Sequence, residues 1–142
     1  MINYTYLPNT NIKNLVGLIC SNWLKEVIVC EDKKLGDIQF IFCDDDYLHS
    51  INTTYLNHDT LTDIITFSTS ENEKIISGEI YISVNRVRDN SSIHSTSFDN
   101  ELSRVMVHGI LHLIGYDDHN PSDKKIMRSK EDYYLLLQAG LN

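Results

Sequence analysis

The stretch Val107-His108-Gly109-Ile110-Leu111-His112-Leu113-Ile114-Gly115-Tyr116-Asp117-Asp118-His119 decides how this chain is read. In a helix, residues four apart share one face a single turn apart. His108 and His112 can therefore present their imidazoles to one metal ion. Gly115 suits the position just past a helix end, where a left-handed residue lets the chain turn back. Such a reversal carries Asp118 or His119 toward the two histidines as a third ligand. Three protein ligands and an open position describe a catalytic zinc ion, because structural zinc is normally closed by four. Histidine pairs at this spacing also occur as ordinary core residues. Here the pair, the glycine turn and the acidic-then-histidine tail arrive together and in order.

The zinc-peptidase signature H-E-x-x-H is not met, because Gly109 stands where its general-base glutamate would be. Peptide hydrolysis is therefore the weaker reading. Phosphodiester cleavage needs charge stabilisation at the phosphate, and a metal supplies that by polarising a phosphoryl oxygen or acidifying a water toward a pKa of about 7. Gly109 is compatible with this chemistry and is expected to leave room for a substrate backbone.

A chain of 142 residues suits one domain, residues 1–142, with a core that needs no disulfides. Its apolar share of 42% is that of a soluble globular protein, and no apolar run approaches a membrane span. Ile2 to Leu7 is too short and polar for a signal peptide, so a cytoplasmic protein without membrane attachment is expected. Cys20, Cys30 and Cys43 form no C-x-x-C pair and read as free thiols of a reducing compartment. The net charge of −8 argues against a generally basic nucleic-acid binder. It leaves room for a local basic patch, or for a metal that supplies the positive field.

Ile2 to Leu7 alternates as a strand ended by Pro8. From about Thr10, the spacing of Ile12, Leu15, Val16, Ile19, Trp23 and Val27 predicts an amphipathic helix with Trp23 in the core. Glu31 to Gly36 reads as a charged turn and Asp37 to Cys43 as the second strand. Asp44 is an N-cap candidate for a helix whose buried stripe is Leu48, Ile51, Tyr55 and Leu56. His58-Asp59-Thr60 reads as a loop, Ile64 to Ser68 as the third strand, and Gly78 to Ser83 as the fourth. A helix follows through Val84 and Val87, then a loop from Asp89 to Ser97. Thr96 or Ser97 caps the motif helix. Asn120-Pro121 opens the last helix, with Ile126, Met127, Tyr133, Tyr134 and Leu137 as its face and Gly140 at its end. Strands interleaved with about five helices predict an α/β or α+β domain on a small, mixed, four-stranded sheet.

The motif resembles the signature H-G-x-L-H-L-x-G-Y-D-H of the YbeY family of bacterial ribosome-maturation endoribonucleases, matched here by the run His108 to Asp117. A second block, Asn52-Thr53-Thr54-Tyr55-Leu56-Asn57-His58-Asp59-Thr60-Leu61-Thr62-Asp63-Ile64-Ile65-Thr66-Phe67, resembles the family's N-x-x-Y-R-x-x-D-x-P-T-D-V-L-S-F. Gly78-Glu79-Ile80 resembles its G-D-I strand. The resemblance implies a zincin-like α+β fold with one zinc ion per chain and cleavage of single-stranded RNA. It further implies a part in maturing ribosomal RNA, especially the 3′ end of the small-subunit RNA, and in ribosome quality control. Its implied partners are RNA and the ribosome or ribosomal proteins.

An ungapped comparison puts the family's third ligand at Asp118; His119 takes its place if the turn carries an extra residue. Leu56 stands where the family has an arginine expected to face the RNA phosphate, and Arg86, Arg88 and Arg104 are candidates to compensate. Asp63 is the candidate outer carboxylate, placed to orient a ligand histidine through its second nitrogen. Two other classes stay open: a zinc-dependent peptidase or small-molecule hydrolase, and a non-catalytic ribosome-associated protein in which zinc fixes only the last turn.

Overall fold

A computed structural model of the protein describes residues 1–12, 21–56 and 62–140. In chain order these form β1 (Ile2–Tyr6), α1 (Ser21–Cys30), β2 (Lys34–Cys43), α2 (Asp45–Leu56), β3 (Ile64–Ser68) and β4 (Ile75–Ser83). They continue as α3 (Val84–Ile93), α4 (Phe98–Ile114) and α5 (Pro121–Gly140). The expected helix positions Leu15, Val16 and Ile19, the Cys20 thiol and the expected loop His58-Asp59-Thr60 lie outside the described residues.

The strands lie in the order β1-β2-β4-β3, with β1, β2 and β4 mutually parallel and β3 antiparallel at the edge. Period-two alternation gives the sheet two different faces. Ile38, Phe40 and Phe42 of β2 stand beside Gly78, Ile80 and Ile82 of β4 and join the main core with α1 and α4. Tyr4 and Tyr6 of β1 extend the layer by stacking on Phe40 and Phe42 at 5.7 and 5.4 Å. The opposite face holds a smaller cluster of Cys43, Leu48, Ile51 and Ile65, covered by α2. Trp23 is fully buried as expected, and its Nε1 donates to the Tyr134 carbonyl at 2.7 Å. The result is the α+β, zincin-like architecture expected: a mixed sheet with the motif helix packed along one face.

α4 starts where Ser97, not Thr96, accepts from the Asn100 amide at 3.1 Å, with Asp99 and Glu101 in the first turn. Its residues from Leu102 to Leu113 are largely buried, because the sheet, α1, α3 and α5 all pack around it. Gly109 lies on the side against the sheet. A Cβ built there would come within 2.9 Å of Ile64 Cδ1 and Ile80 Cγ2. The room this glycine provides is taken by the sheet, which corrects the expectation that it opens space for a substrate.

Local signals set the helix starts well. Asp44 Oδ1 accepts from the Tyr47 amide at 2.9 Å, and Asn120 Oδ1 accepts from the Asp123 amide at 2.8 Å. Long-range pairing moved other boundaries. β2 begins at Lys34 and β4 at Ile75, because Lys34 and Leu35 pair with Ile75 and Ile76 across a register shift. α3 continues to Ile93 through the stretch expected as loop, since Val87 and Ser91 bury one stripe of it. Tyr55 and Leu56, expected in the buried stripe of α2, are 72% and 40% exposed because that end of the helix runs past the cluster it covers. On α5, Ile126 and Tyr133 are likewise exposed, whereas Met127 and Tyr134 are buried. Among the described residues, no helix is long and apolar enough to cross a membrane.

Candidate metal centre

The i, i+4 spacing on α4 sets the His108 and His112 rings 4.5 Å apart, centre to centre, at an interplanar angle of 77°. The helix stops at Gly115, whose φ of +126° is a conformation that side chains rarely adopt. The Gly115 amide donates to the carbonyls of Leu111 and His112, both at 3.1 Å, and the Tyr116 amide donates to Leu111 at 3.0 Å. This closed end turns the chain back and brings Asp118 over the pair. Its Oδ2 lies 3.3 Å from His108 Nε2 and 3.5 Å from His112 Nε2. The three ligand atoms lie within 4.8 Å of one another and form a group that could hold a metal ion. His119 is exposed and lines the same cleft, but stands outside that group.

A buried acid that sequence reasoning missed stands behind this trio. Glu131 of α5 is 5% exposed, and its Oε2 accepts from His108 Nδ1 at 2.7 Å. With Nδ1 as the donor, a neutral His108 keeps its lone pair on Nε2, the nitrogen turned toward Asp118. Glu131 Oε1 accepts from Arg104 Nη1 at 2.8 Å, while Arg104 Nη2 donates to Asp132 at 2.7 Å. The signal that could have revealed Glu131 is its place on the buried stripe of α5, between Met127 and Tyr134. An acid at such a position needs a partner.

Asp63, just before β3, also faces the cleft. Its carbonyl accepts from the Ser83 amide at 3.0 Å, and its carboxylate takes a long 3.4 Å contact from Asn90 Nδ2. It reaches His108 through charge, while the hydrogen bond to Nδ1 belongs to Glu131.

Burial pushes the Asp63 carboxyl up from its ordinary value, against the pull of His108. For His108, burial opposes the charged ring, but the Glu131 hydrogen bond and the charges of Glu131, Asp63 and Asp118 outweigh it, so the net shift is upward. His112 moves the other way, lowered by burial and by the neighbouring His108 charge.

The turn that carries Asp118 is fastened from below. Glu31, just past α1, accepts from Tyr116 Oη at 2.5 Å, from Lys130 Nζ at 3.0 Å and from the Tyr134 hydroxyl. Burial works to raise the Glu31 carboxyl, but these donors hold it below the ordinary value.

The trio opens into a cleft of about 530 Å³ bounded by the end of α2, β3, α3, α4 and α5. Leu56 lines it from α2. The three arginines expected to compensate for Leu56 are engaged elsewhere. Arg86 pairs with Asp45 at 3.1 Å and with Asp89, and Arg88 lies over the Phe98 ring at 5.0 Å. Arg104 lines the cleft, but both its terminal nitrogens are held by Glu131 and Asp132.

The family model described as endoribonuclease YbeY matches residues 3–138. A protein of Flavobacterium johnsoniae named endoribonuclease YbeY is 53% identical over 133 residues, covering 93% of each chain. One from Amoebophilus asiaticus with the same name is 48% identical over 139 residues, covering 98% of this chain and 95% of its own. Among solved structures, the solution structure of TM1509 from Thermotoga maritima is similar, with a TM-score of 0.68 and 30% identity. The match covers 99% of this chain and 90% of that one. The motif on α4 thus sits within a likeness that runs nearly from end to end, and this chain belongs to the endoribonuclease YbeY family.

Proposed function

We propose that this protein is a zinc-dependent endoribonuclease that cuts single-stranded RNA during ribosomal RNA maturation, including the 3′ end of the small-subunit RNA, and in ribosome quality control. In this reading residues 1–142 act as one hydrolase domain in the cytoplasm, with the ribosome or ribosomal proteins as partners. The observation that carries it is the convergence of His108 Nε2, His112 Nε2 and Asp118 Oδ2 at the floor of an open cleft.

The donor set suits zinc. Tetrahedral zinc with bonds of about 2.0–2.1 Å separates neighbouring ligand atoms by roughly 3.3 Å. The two distances from Asp118 to the histidines are 3.3 and 3.5 Å. A charge-assisted hydrogen bond would be shorter, at about 2.7–2.9 Å. When bound, zinc supplies Lewis-acid stabilisation of the developing charge at the phosphate. The chain's own residues do the positioning. Glu131 fixes which nitrogen of His108 faces the cleft, the Gly115 turn carries Asp118, and Asp63 adds a cleft-lining carboxyl that acts on His108 through charge.

The His112→Ala variant is expected to lose bound zinc and RNA cleavage together; full metal occupancy in that variant would overturn the site. Asp118→Ala should lower zinc affinity far more than His119→Ala, and equal small losses would mean that neither is a ligand. A zinc peptidase finds no support around Gly109, where the sheet leaves no room for a base. Glu79 offers none either: its carboxylate accepts from Tyr81 Oη at 3.2 Å on β4, and it does not line the cleft. The non-catalytic reading would require a metal-site variant that still supports normal ribosomal RNA processing. The open cleft above the three ligand atoms favours a site that receives a substrate.

A further inference from the structure

We propose that Arg128, on α5, binds a phosphate of the RNA strand in this cleft, an inference that rests on the endoribonuclease reading above. The cleft is an unfavourable place for a polyanion. Asp63, Glu101, Asp118 and Glu131 line it, and the chain as a whole carries a net charge of −8. Arg104 does little to offset this, because its guanidinium is already matched by two carboxylates.

Arg128 stands apart. Its side chain is 58% exposed, and its nearest described carboxylate oxygen is Glu131 Oε1, 4.0 Å from Nη1. That distance is beyond hydrogen bonding, and the same oxygen already accepts from Arg104 at 2.8 Å. The Arg128 donors are therefore free for another acceptor, and a planar guanidinium matches two phosphate oxygens at once.

Its position suits the task. Arg128 lies one turn before Glu131 on α5, and Glu131 holds His108. A phosphate on Arg128 therefore lies beside the wall that carries the ligand histidines. Among the described residues lining the cleft, Arg128 is the cation whose charge is exposed and not already paired at hydrogen-bond distance. Leu56 lines the same cleft from α2 and offers no charge.

The test uses the zinc-loaded full chain and a fluorescein-labelled single-stranded RNA, with affinity read by anisotropy over a series of salt concentrations. Arg128→Ala should weaken binding about tenfold, the scale of one lost charge-assisted contact. It should also flatten the slope of log affinity against log salt by about 0.7, as one fewer neutralised phosphate requires. Cleavage should suffer mainly through a higher KM, with zinc content and unfolding midpoint unchanged. Arg128→Lys should recover part of the binding. In the Arg128→Ala background, Leu56→Arg should recover part as well, by restoring a cation to the cleft from the α2 side.

An Arg128→Ala protein that binds with wild-type affinity and wild-type salt slope, while the wild type binds and cuts, would overturn the assignment and leave the endoribonuclease reading standing. An Arg128→Ala protein that loses its zinc along with its RNA affinity would also overturn it, since the side chain would then be supporting the metal site. A wild type that neither binds nor cuts the RNA would overturn both.

Discussion

His108 and His112 announce themselves because four residues along a helix is a fixed distance, whereas the Gly115 turn left Asp118 and His119 both open until the structure grouped Asp118 with the pair. Glu131 could not be found that way. It lies 23 residues from His108, on a helix whose crossing of α4 no local pattern encodes. Its carboxylate joins two half-buried partners, the His108 ring and the Arg104 guanidinium, so its removal is expected to act on both. Glu131→Ala should lower zinc affinity about 10- to 100-fold, measured by competition with a chelator, because an unanchored His108 ring loses its orientation. It should also destabilise the fold by about 1–3 kcal/mol in denaturant titrations, since Arg104 would keep Asp132 but lose its buried partner. Glu131→Gln keeps an oxygen that can accept from Nδ1 and should lose less metal affinity than the alanine variant.

At the scale of the element, α4 does two jobs that constrain each other: one side carries the histidines and another presses on β3 and β4. Gly109→Ala improves helix propensity by about 1 kcal/mol. The added methyl meets Ile64 and Ile80 at 2.9 Å, however, and overpacking of this kind costs about 1–3 kcal/mol. A net loss of stability is expected, read as a lower urea midpoint. Gly109→Glu would recreate H-E-x-x-H in the sequence, yet it should unfold the protein rather than yield a peptidase, because the carboxylate would enter the sheet. Gly115→Ala should cost about 1 kcal/mol through its positive φ and weaken metal binding by displacing Asp118. The helix starts were readable because Asp44, Ser97 and Asn120 cap their own first turns. The first residues of β2 and β4 were not, because Lys34 and Ile75 become strand only by finding each other. The polar run of α3 likewise reads as loop until the packing of Val87 and Ser91 is known.

At the scale of the molecule, Glu31 ties the end of α1 to the turn after α4 and to α5, so three distant segments share one carboxylate. Its folded pKa lies below the ordinary value, so the unfolded chain takes up the proton first as pH falls. The stability it contributes is present above the unfolded value of about 4.3 and is lost as pH drops through the lower folded value. The advantage of wild type over Glu31→Gln should be full at neutral pH and disappear under acid, as seen in paired urea titrations. That tie also holds the turn bearing Asp118, which links the integrity of the fold to the metal site. The most direct test of the whole proposal is metal analysis of the purified protein paired with cleavage of a defined ribosomal RNA, with and without chelator. The expected result is about one zinc per chain, with cleavage lost on chelation and restored by zinc. RNA cleavage that persists undiminished after the metal is stripped would contradict it.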